Sequence, residues 1–513
     1  MRNDGWNAGY VVDVGYLFAY EPELNPLAAT LALTAAGFAV PDIANACELG
    51  FGQGINVNLH AAAGAARWFG TDFMPAQAGF AREAAEASGA DARLFDESFE
   101  RFCARADLPE FEFAGMHGVW SWVSDANRAI LASFLERKLR PGGILYVGYN
   151  ALPGWSDMVP LRELMAEHMR LLGAPTANSL ERFEGALGFA ERLLATQPVF
   201  AAANPAARAR IERMRALDRR YLVHEYGDRE WRPMGFSEMA ARMAAAKLDW
   251  ARSADPLDAI EELNLTQAQR ALLAEIPDPV FREVARDFCV NRQFRRDYWI
   301  KGARRLSRLE RDERLRGRRV VLTWPRDEVS LTVKGALGEG TMQQAIYGPL
   351  LDALADHRPR TLGELESALA PRGVDFAQLV QAVLVLGAQS AVRPAQDDAA
   401  IDAAAVRTAR LNRHLMRQAR GGVETGHLAS PVTGGAVPAT RFEQLFLLAR
   451  ADGAPTPEAW AADAWKALER QGERVVRDGR MLTRAEDSLA ELVRQARAFA
   501  AGRLKLLDAL RAV

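Results

Sequence analysis

Cysteine is scarce: the 513 residues hold three, Cys47, Cys103 and Cys289, far apart and with no C-x-x-C pair. With no histidine at ligand spacing from them, neither a disulfide framework nor a zinc site is supported, and buried reduced thiols and no metal are expected. Excess charge of either sign is also missing, since 64 Lys and Arg stand against 66 Asp and Glu for a formal net charge of -2. A general nucleic-acid binder shows a basic surplus, so no nucleic-acid partner is expected. No apolar run reaches the length of a membrane span, and the start Met1-Arg2-Asn3-Asp4-Gly5-Trp6 lacks the apolar core of a signal peptide. The expectation is a cytoplasmic chain without membrane insertion. Neither an internal repeat nor a long disordered tract is found. At this length one core does not suffice, and three or four domains are the natural division.

What is present centres on Ala46-Cys47-Glu48-Leu49-Gly50-Phe51-Gly52-Gln53-Gly54-Ile55-Asn56, a short apolar run that ends in an acid and three alternating glycines. Glycine adopts positive φ without steric cost and lets a ligand approach the main chain. A helix from about Asn56 to Ala66 then offers its free amide ends. The spacing G-x-G-x-G differs from the dinucleotide fingerprint G-x-G-x-x-G, because position 55 is Ile. The next acid at a strand end, Asp72, stands where a doubly wound fold places a carboxylate on ribose hydroxyls. Together they point to a nucleoside site.

From Ile43 onward short apolar runs alternate with helical patterns. The strands are read at Ala46–Glu48, Arg67–Asp72, Ala92–Asp96, Phe111–Met116 and Gly143–Tyr149, with helices from about Pro75 to Ser88 and Asn127 to Leu139 between them. This is the rhythm of a parallel sheet covered on both faces. Ligands bind beyond the carboxyl ends of such strands, so Glu48, Asp72, Asp96, His117 and Asn150 are expected to converge on one crevice. Beyond Trp155 the sheet pattern is read as ending.

The acid-glycine motif with Asp72 and Asp96 resembles the class I S-adenosylmethionine-dependent methyltransferases. His117-Gly118-Val119-Trp120-Ser121-Trp122 and Tyr149-Asn150-Ala151-Leu152-Pro153-Gly154-Trp155 narrow the resemblance to the bacterial, rickettsial-type protein-lysine methyltransferases that carry a methyltransferase regulatory domain. Tyr221-Leu222-Val223-His224-Glu225-Tyr226 and Asp287-Phe288-Cys289-Val290-Asn291-Arg292-Gln293-Phe294-Arg295 resemble that regulatory domain. The resemblance implies an α/β, Rossmann-like catalytic domain, then a mainly helical regulatory domain and a helical C-terminal region, and between the last two the order of elements from about Tyr347 to Arg393 reads as a winged-helix-like module. The boundaries read are 1–165 for the lid and catalytic domain, 166–215 for a helical bridge, 216–318, 319–395 and 396–513.

It also implies S-adenosylmethionine as cofactor and S-adenosylhomocysteine as product. Gly50, Gly52 and Gly54 would pass close to the methionine part and ribose, Asp72 would bind the ribose hydroxyls, Phe73 would lie against adenine and Asp96 would face its amine. Tyr16, Glu48, Phe51, Asn56, Glu97, His117 and Gly118 complete the cofactor set. Val57-Asn58-Leu59-His60 departs from the family, which tends to have a proline and apolar residues there.

Aromatic faces stabilise cations, and a desolvated aromatic pocket lowers the pKa of an amine. Trp120, Trp122, Tyr149 and Trp155 are therefore candidates for a catalytic amine pocket, with Asn150 or the main chain holding the amine and His117 lining the cofactor or substrate pocket. Core packing is the competing reading of the same aromatics. His224, Glu225 and Tyr226 are read as facing the mouth or anchoring a turn, and the aromatic lead-in before Pro26 as a lid or as packing.

Further along, Arg304–Arg316 interleaves acids with leucines near helical spacing, which predicts a solvated amphipathic helix. The segment after Trp155 amounts to about two thirds of the chain, which favours a large substrate. A protein partner is expected, and a homodimer is compatible with it. Lysine N-methylation is the leading expectation; small-molecule or other side-chain methylation, and a non-catalytic cofactor-binding regulator, stay open. No Asn-Pro-Pro-Tyr or Asp-Pro-Pro-Tyr string favours a nucleic-acid base.

Overall fold

Short runs of apolar residues closed by Gly, Asp or Asn form the central sheet. The computed structural model describes residues 10–174 and 176–513; the start of the lead-in, and Pro175 within the segment read as a helical bridge, fall outside them. Seven strands, β1 (Asn45–Leu49), β2 (Arg67–Asp72), β3 (Ala92–Asp96), β4 (Phe111–His117), β5 (Leu139–Asn150), β6 (Leu248–Ser253) and β7 (Phe294–Lys301), lie in the order β3-β2-β1-β4-β5-β7-β6. The first five are parallel, and β7 runs antiparallel to both β5 and β6. Ala46 to Leu49 of β1 are fully covered, as expected of a parallel strand with helices on both faces.

β6 and β7 correct the expectation that the sheet stops near Trp155. The last two strands come from the segment read as regulatory, and β7 pairs with β5 from Ile144↔Ile300 to Asn150↔Phe294. The physical reason they escape a pattern reading is charge. In β7, Phe-Arg-Arg-Asp-Tyr-Trp-Ile-Lys, Arg295 and Asp297 are buried and paired rather than solvated. Arg295 donates to Asp297 at 2.8 Å and to Asp287 at 2.7 Å, while Trp250 donates to Asp297 at 2.9 Å.

Between β5 and β6 the helices Val159–Leu171, Ser179–Ala195 and Arg219–Gly227 pack through Met165, Phe183, Leu187 and Leu222. Residue Asn178 caps the second of these, its side chain accepting from Glu181 while Glu181 reaches back. Farther on, strands Arg319–Leu322, Arg360–Thr361 and Val392–Ala395 form a small antiparallel sheet with helices Gln344–Ala353, Leu362–Leu369 and Phe376–Ala388. Among the described residues no single helix is long and apolar enough to cross a membrane.

Two details place the site. Ile55, Leu59, Ala62 and Ala63 on the glycine-turn helix share a core with Leu411, Leu415, Leu428 and Val437, so the C-terminal region braces that helix from behind. The unusual Asn58 and His60 tie the same helix to the lead-in and to the neighbouring elements of the sheet domain. Asn58 donates to the carbonyls of Gly54 and Ala81, both at 2.9 Å, and His60 meets the Tyr20 hydroxyl at 3.1 Å while stacking on Trp68.

Candidate active site

The turn after β1 has the geometry that its glycines allow. Gly50, Gly52 and Gly54 sit at φ +75°, +56° and +71°, where a side chain is strained. A Cβ on Gly50 would meet Val119 at 2.5 Å, and one on Gly54 would run into Ala81 of the next helix. Gly52 differs, since its Cβ would find nothing nearer than Gln77 at 4.0 Å. Its open side faces a cleft of about 350 Å³, within the range of small-molecule sites.

Asp72 is locked at the rim of this turn. One carboxylate oxygen accepts from the Gly52 amide and the other from the Met74 amide, both at 2.9 Å. Burial nevertheless pushes its pKa up to about 6 against those bonds, with Asp96 adding to the rise. Glu48, 3% exposed, is pushed up to about 8, first by burial. One of its oxygens has no hydrogen-bond partner. Asn56 holds the Glu48 carboxylate and accepts from the Glu21 amide at 2.7 Å, tying the turn to the lead-in.

The cleft gathers Tyr16, Glu48, Gly50, Phe51, Gly52, Asn56, Asp72, Phe73, Glu97, His117, Gly118 and Trp122 from the sequence-derived set. It does not gather Gly54, whose role is helix packing, or Asp96. The Asp96 side chain is exposed beside Asp72 in register, and Glu97 and Ser98 take its place along the wall.

Three aromatic candidates are corrected. Trp120 is fully buried among Phe102, Leu131 and Met239. Tyr149 is fully buried and donates to Asp297 at 3.1 Å. Trp155 lies 2% exposed in the helical core, with Arg210 over its ring at 3.7 Å. Tyr149 lies on β5, where alternation sends neighbours to opposite faces, while Trp120 opens the short helical turn Trp120–Trp122 and Trp155 sits in the turn after β5; all three face the cores. Asn150 is buried as well, its amide nitrogen donating to Glu225 at 3.2 Å, so it orients a carboxylate.

His117 does line the cleft, with its Nδ1 2.8 Å from the Tyr146 hydroxyl and its Nε2 3.5 Å from Glu21. Desolvation pulls its pKa down to about 4, so the ring is neutral near pH 7 and a poor base. Gly148 makes room for it, because a Cβ there would stand 2.7 Å from Nδ1.

The other wall comes from residues that motif reading of β1 to β5 does not reach. Residues 10–21 cross the cleft as a strap, with Tyr10, Tyr16 and Glu21 facing inward. Val11 donates to Asp228 at 2.9 Å, His224 donates to the Val14 carbonyl at 2.9 Å, and Ser179 donates to Asp13 at 2.8 Å. Tyr10 packs edge-on against Phe73 with ring centroids 5.5 Å apart. His224, Glu225 and Asp228 close the wall. Glu21 and Asp228 carried no sequence signal of a site; the aromatic lead-in and the His224-Glu225 string were the available hints.

A sheet whose one reversed strand is β7, with a glycine turn after β1 and a carboxylate after β2, defines a class I methyltransferase. A family model described as "Methyltransferase domain" matches residues 47–147, and one described as "Predicted methyltransferase regulatory domain" matches residues 218–301. Uncharacterized protein sll1526 of Synechocystis sp. is 34% identical over 510 residues, 98% of this chain and 99% of that protein. Uncharacterized protein RP789 of Rickettsia prowazekii is 30% identical over 151 residues, 28% of this chain and 26% of that protein. PKMT2 from Rickettsia typhi, solved in complex with AdoHcy, has the same fold at a TM-score of 0.68 and 18% identity, over 96% of this chain and 99% of that one. The chain belongs to one family with sll1526, and it is an S-adenosylmethionine-dependent methyltransferase that carries a methyltransferase regulatory domain.

Proposed function

We propose that this methyltransferase acts on the side-chain amine of lysine in a protein. The observation that carries the reading is that one cleft gathers two sets of residues, a nucleoside set of Gly52, Asp72 and Phe73 and an acidic, aromatic set of Tyr16, Glu21, Glu225 and Asp228, which we read as its two ends. The nucleoside end fits the cofactor, because the Gly52 main chain is open to the cleft, Asp72 is oriented by two amides, and Glu48 keeps a free buried oxygen. When bound, S-adenosylmethionine supplies an electrophilic methyl group. The residues of the chain position the acceptor and exclude water, and such positioning is the larger part of catalysis for an in-line displacement.

Acids and aromatic rings at the second end favour a cation over a neutral or anionic acceptor. The lysine reading rests on that chemistry and on the resemblance to protein-lysine methyltransferases; the solved Rickettsia typhi relative with AdoHcy supports the cofactor. The length of chain outside the catalytic strands favours a large acceptor over a small metabolite, and the reading places the enzyme in the cytoplasm. Incubation of the purified protein and S-adenosylmethionine with a bacterial extract, followed by peptide mass spectrometry, tests it. Lysines heavier by one or more CH2 units support the reading, and methylation confined to small molecules or to other side chains rejects it.

A further inference from the structure

We infer that Glu225 and Asp228, from the segment matched as regulatory, form the receiving site for the alkylammonium group of the acceptor, with Asp228 taking its proton. The inference deepens the lysine reading and rests on it for the identity of the acceptor.

Both carboxylates line the cleft and both are buried, Glu225 at 6% and Asp228 at 2% exposure. Their partners differ. Glu225 accepts from Asn150 at 3.2 Å, at the carboxyl end of β5, and from the Tyr221 hydroxyl. Asp228 accepts from the Val11 amide through one oxygen, while the other, Oδ2, is buried without any partner. A buried carboxylate oxygen left unpaired is costly, and a ligand that donates a charge-assisted hydrogen bond removes that cost.

The surroundings select a cation. Tyr10 and Tyr16 flank the notch, and Glu21 adds a third acid across the cleft. Arg162, which tempers both acids electrostatically, and Arg210, which tempers Glu225, do not line the cleft. Arg162 donates instead to the Asp228 main-chain carbonyl and lies over Trp231, and Arg210 lies over Trp155. Arg229 and Glu230 complete this rim.

Burial raises the pKa of Asp228 to about 8 and also raises that of Glu225 while the notch is empty. A docking ammonium favours the ionised carboxylate, so Asp228 releases its own proton to solvent as the cation binds and can then take one from the amine. The same desolvation lowers the pKa of an amine, so the two values approach and the proton moves readily. In that transfer one N–H bond of the ammonium breaks, an O–H bond forms at Asp228 Oδ2, and the electron pair stays on nitrogen. An ion pair becomes a neutral pair, which a desolvated notch favours.

An ammonium has two sources here, the acceptor amine and the amino-acid end of the cofactor. Glu225 is tied to Asn150 of β5 and not to the turn after β1, which points to the acceptor. The test uses the full chain loaded with S-adenosylhomocysteine and soaked with n-butylammonium chloride, with Asp228→Asn and Glu225→Gln in parallel. The expected crystal structure has the butylammonium nitrogen within hydrogen-bond distance of Asp228 Oδ2. Asp228→Asn should abolish its occupancy while cofactor affinity by calorimetry changes by no more than about threefold, far less than loss of a charge-assisted bond would cause. The inference is overturned by a notch empty of the amine, by the cofactor's own ammonium at Asp228, or by cofactor affinity falling as far as amine binding. Absence of methyl-lysine in extracts would sink the lysine reading alone, since the amine soak reads the notch directly.

Discussion

Asp72 shows how far single residues carry the site. Its two oxygens are already spanned by the Gly52 and Met74 amides, so it is preorganised to accept further bonds from a diol. Asp72→Ala should weaken S-adenosylmethionine binding by about 1–3 kcal/mol, read by calorimetry, with the thermal unfolding profile retained. The buried acids make a second prediction. Glu48 and Asp228 are held up to about 8 by burial, so the folded chain keeps protons that the unfolded chain loses above about pH 4. Stability from these groups therefore falls as pH rises and levels off above about pH 8. His60 and His117, drawn down to about 3 and about 4 by burial, act in the opposite sense but only below about pH 6.5. From pH 6.5 to 8 the ligand-free Tm should fall, and a rise over that window in scanning fluorimetry would contradict the burial of the two acids. The glycine turn was legible because positive φ leaves few residue choices. The three core aromatics were not, since Trp120, Tyr149 and Trp155 look the same in sequence whether they face a cleft or a core.

Strands expose a different limit. β1 to β5 were readable because their apolar runs have only one use in a covered sheet, whereas β7 places Arg295 and Asp297 inside the protein. Charge in a short run reads as surface until its partners are known. Those partners, Asp287 on the preceding helix and Trp250 on β6, lie 8 and 45 positions from Arg295 in this numbering. Arg295→Met should destabilise the protein by about 3–5 kcal/mol, because Asp287 and Asp297 lose their cation in a buried setting. Denaturant unfolding measures this, and a change below about 1 kcal/mol would remove the network from the account of the sheet. The helix Arg308–Arg316 was legible as an element, but not its inward face: Leu315 is buried and Leu309 is 67% exposed.

At the scale of the molecule, the regulatory segment is part of the catalytic body. It completes the sheet through β6 and β7 and supplies His224, Glu225 and Asp228 to the cleft. The C-terminal region has a parallel role, since it covers Ile55 and Leu59 on the helix that leaves the glycine turn. Each such side chain contributes about 1.5–3 kcal/mol when buried. A chain ending at residue 396 should therefore show faster hydrogen exchange across Ile55–Ala63, by at least about tenfold if it stays folded, as local openings become cheaper. Unchanged protection there would mean that the brace is passive.

Calorimetric titration of the full chain and of Gly52→Arg with S-adenosylmethionine tests the central claim, that this cleft is the cofactor site, most directly. The Gly52 side is open to the cleft, so an arginine there fills the space for the ligand without touching the core. The expected result is saturable one-to-one binding by the wild type and none by a folded Gly52→Arg protein. Equal binding by both, with the variant's fold verified by circular dichroism, would place the cofactor elsewhere and contradict the assignment.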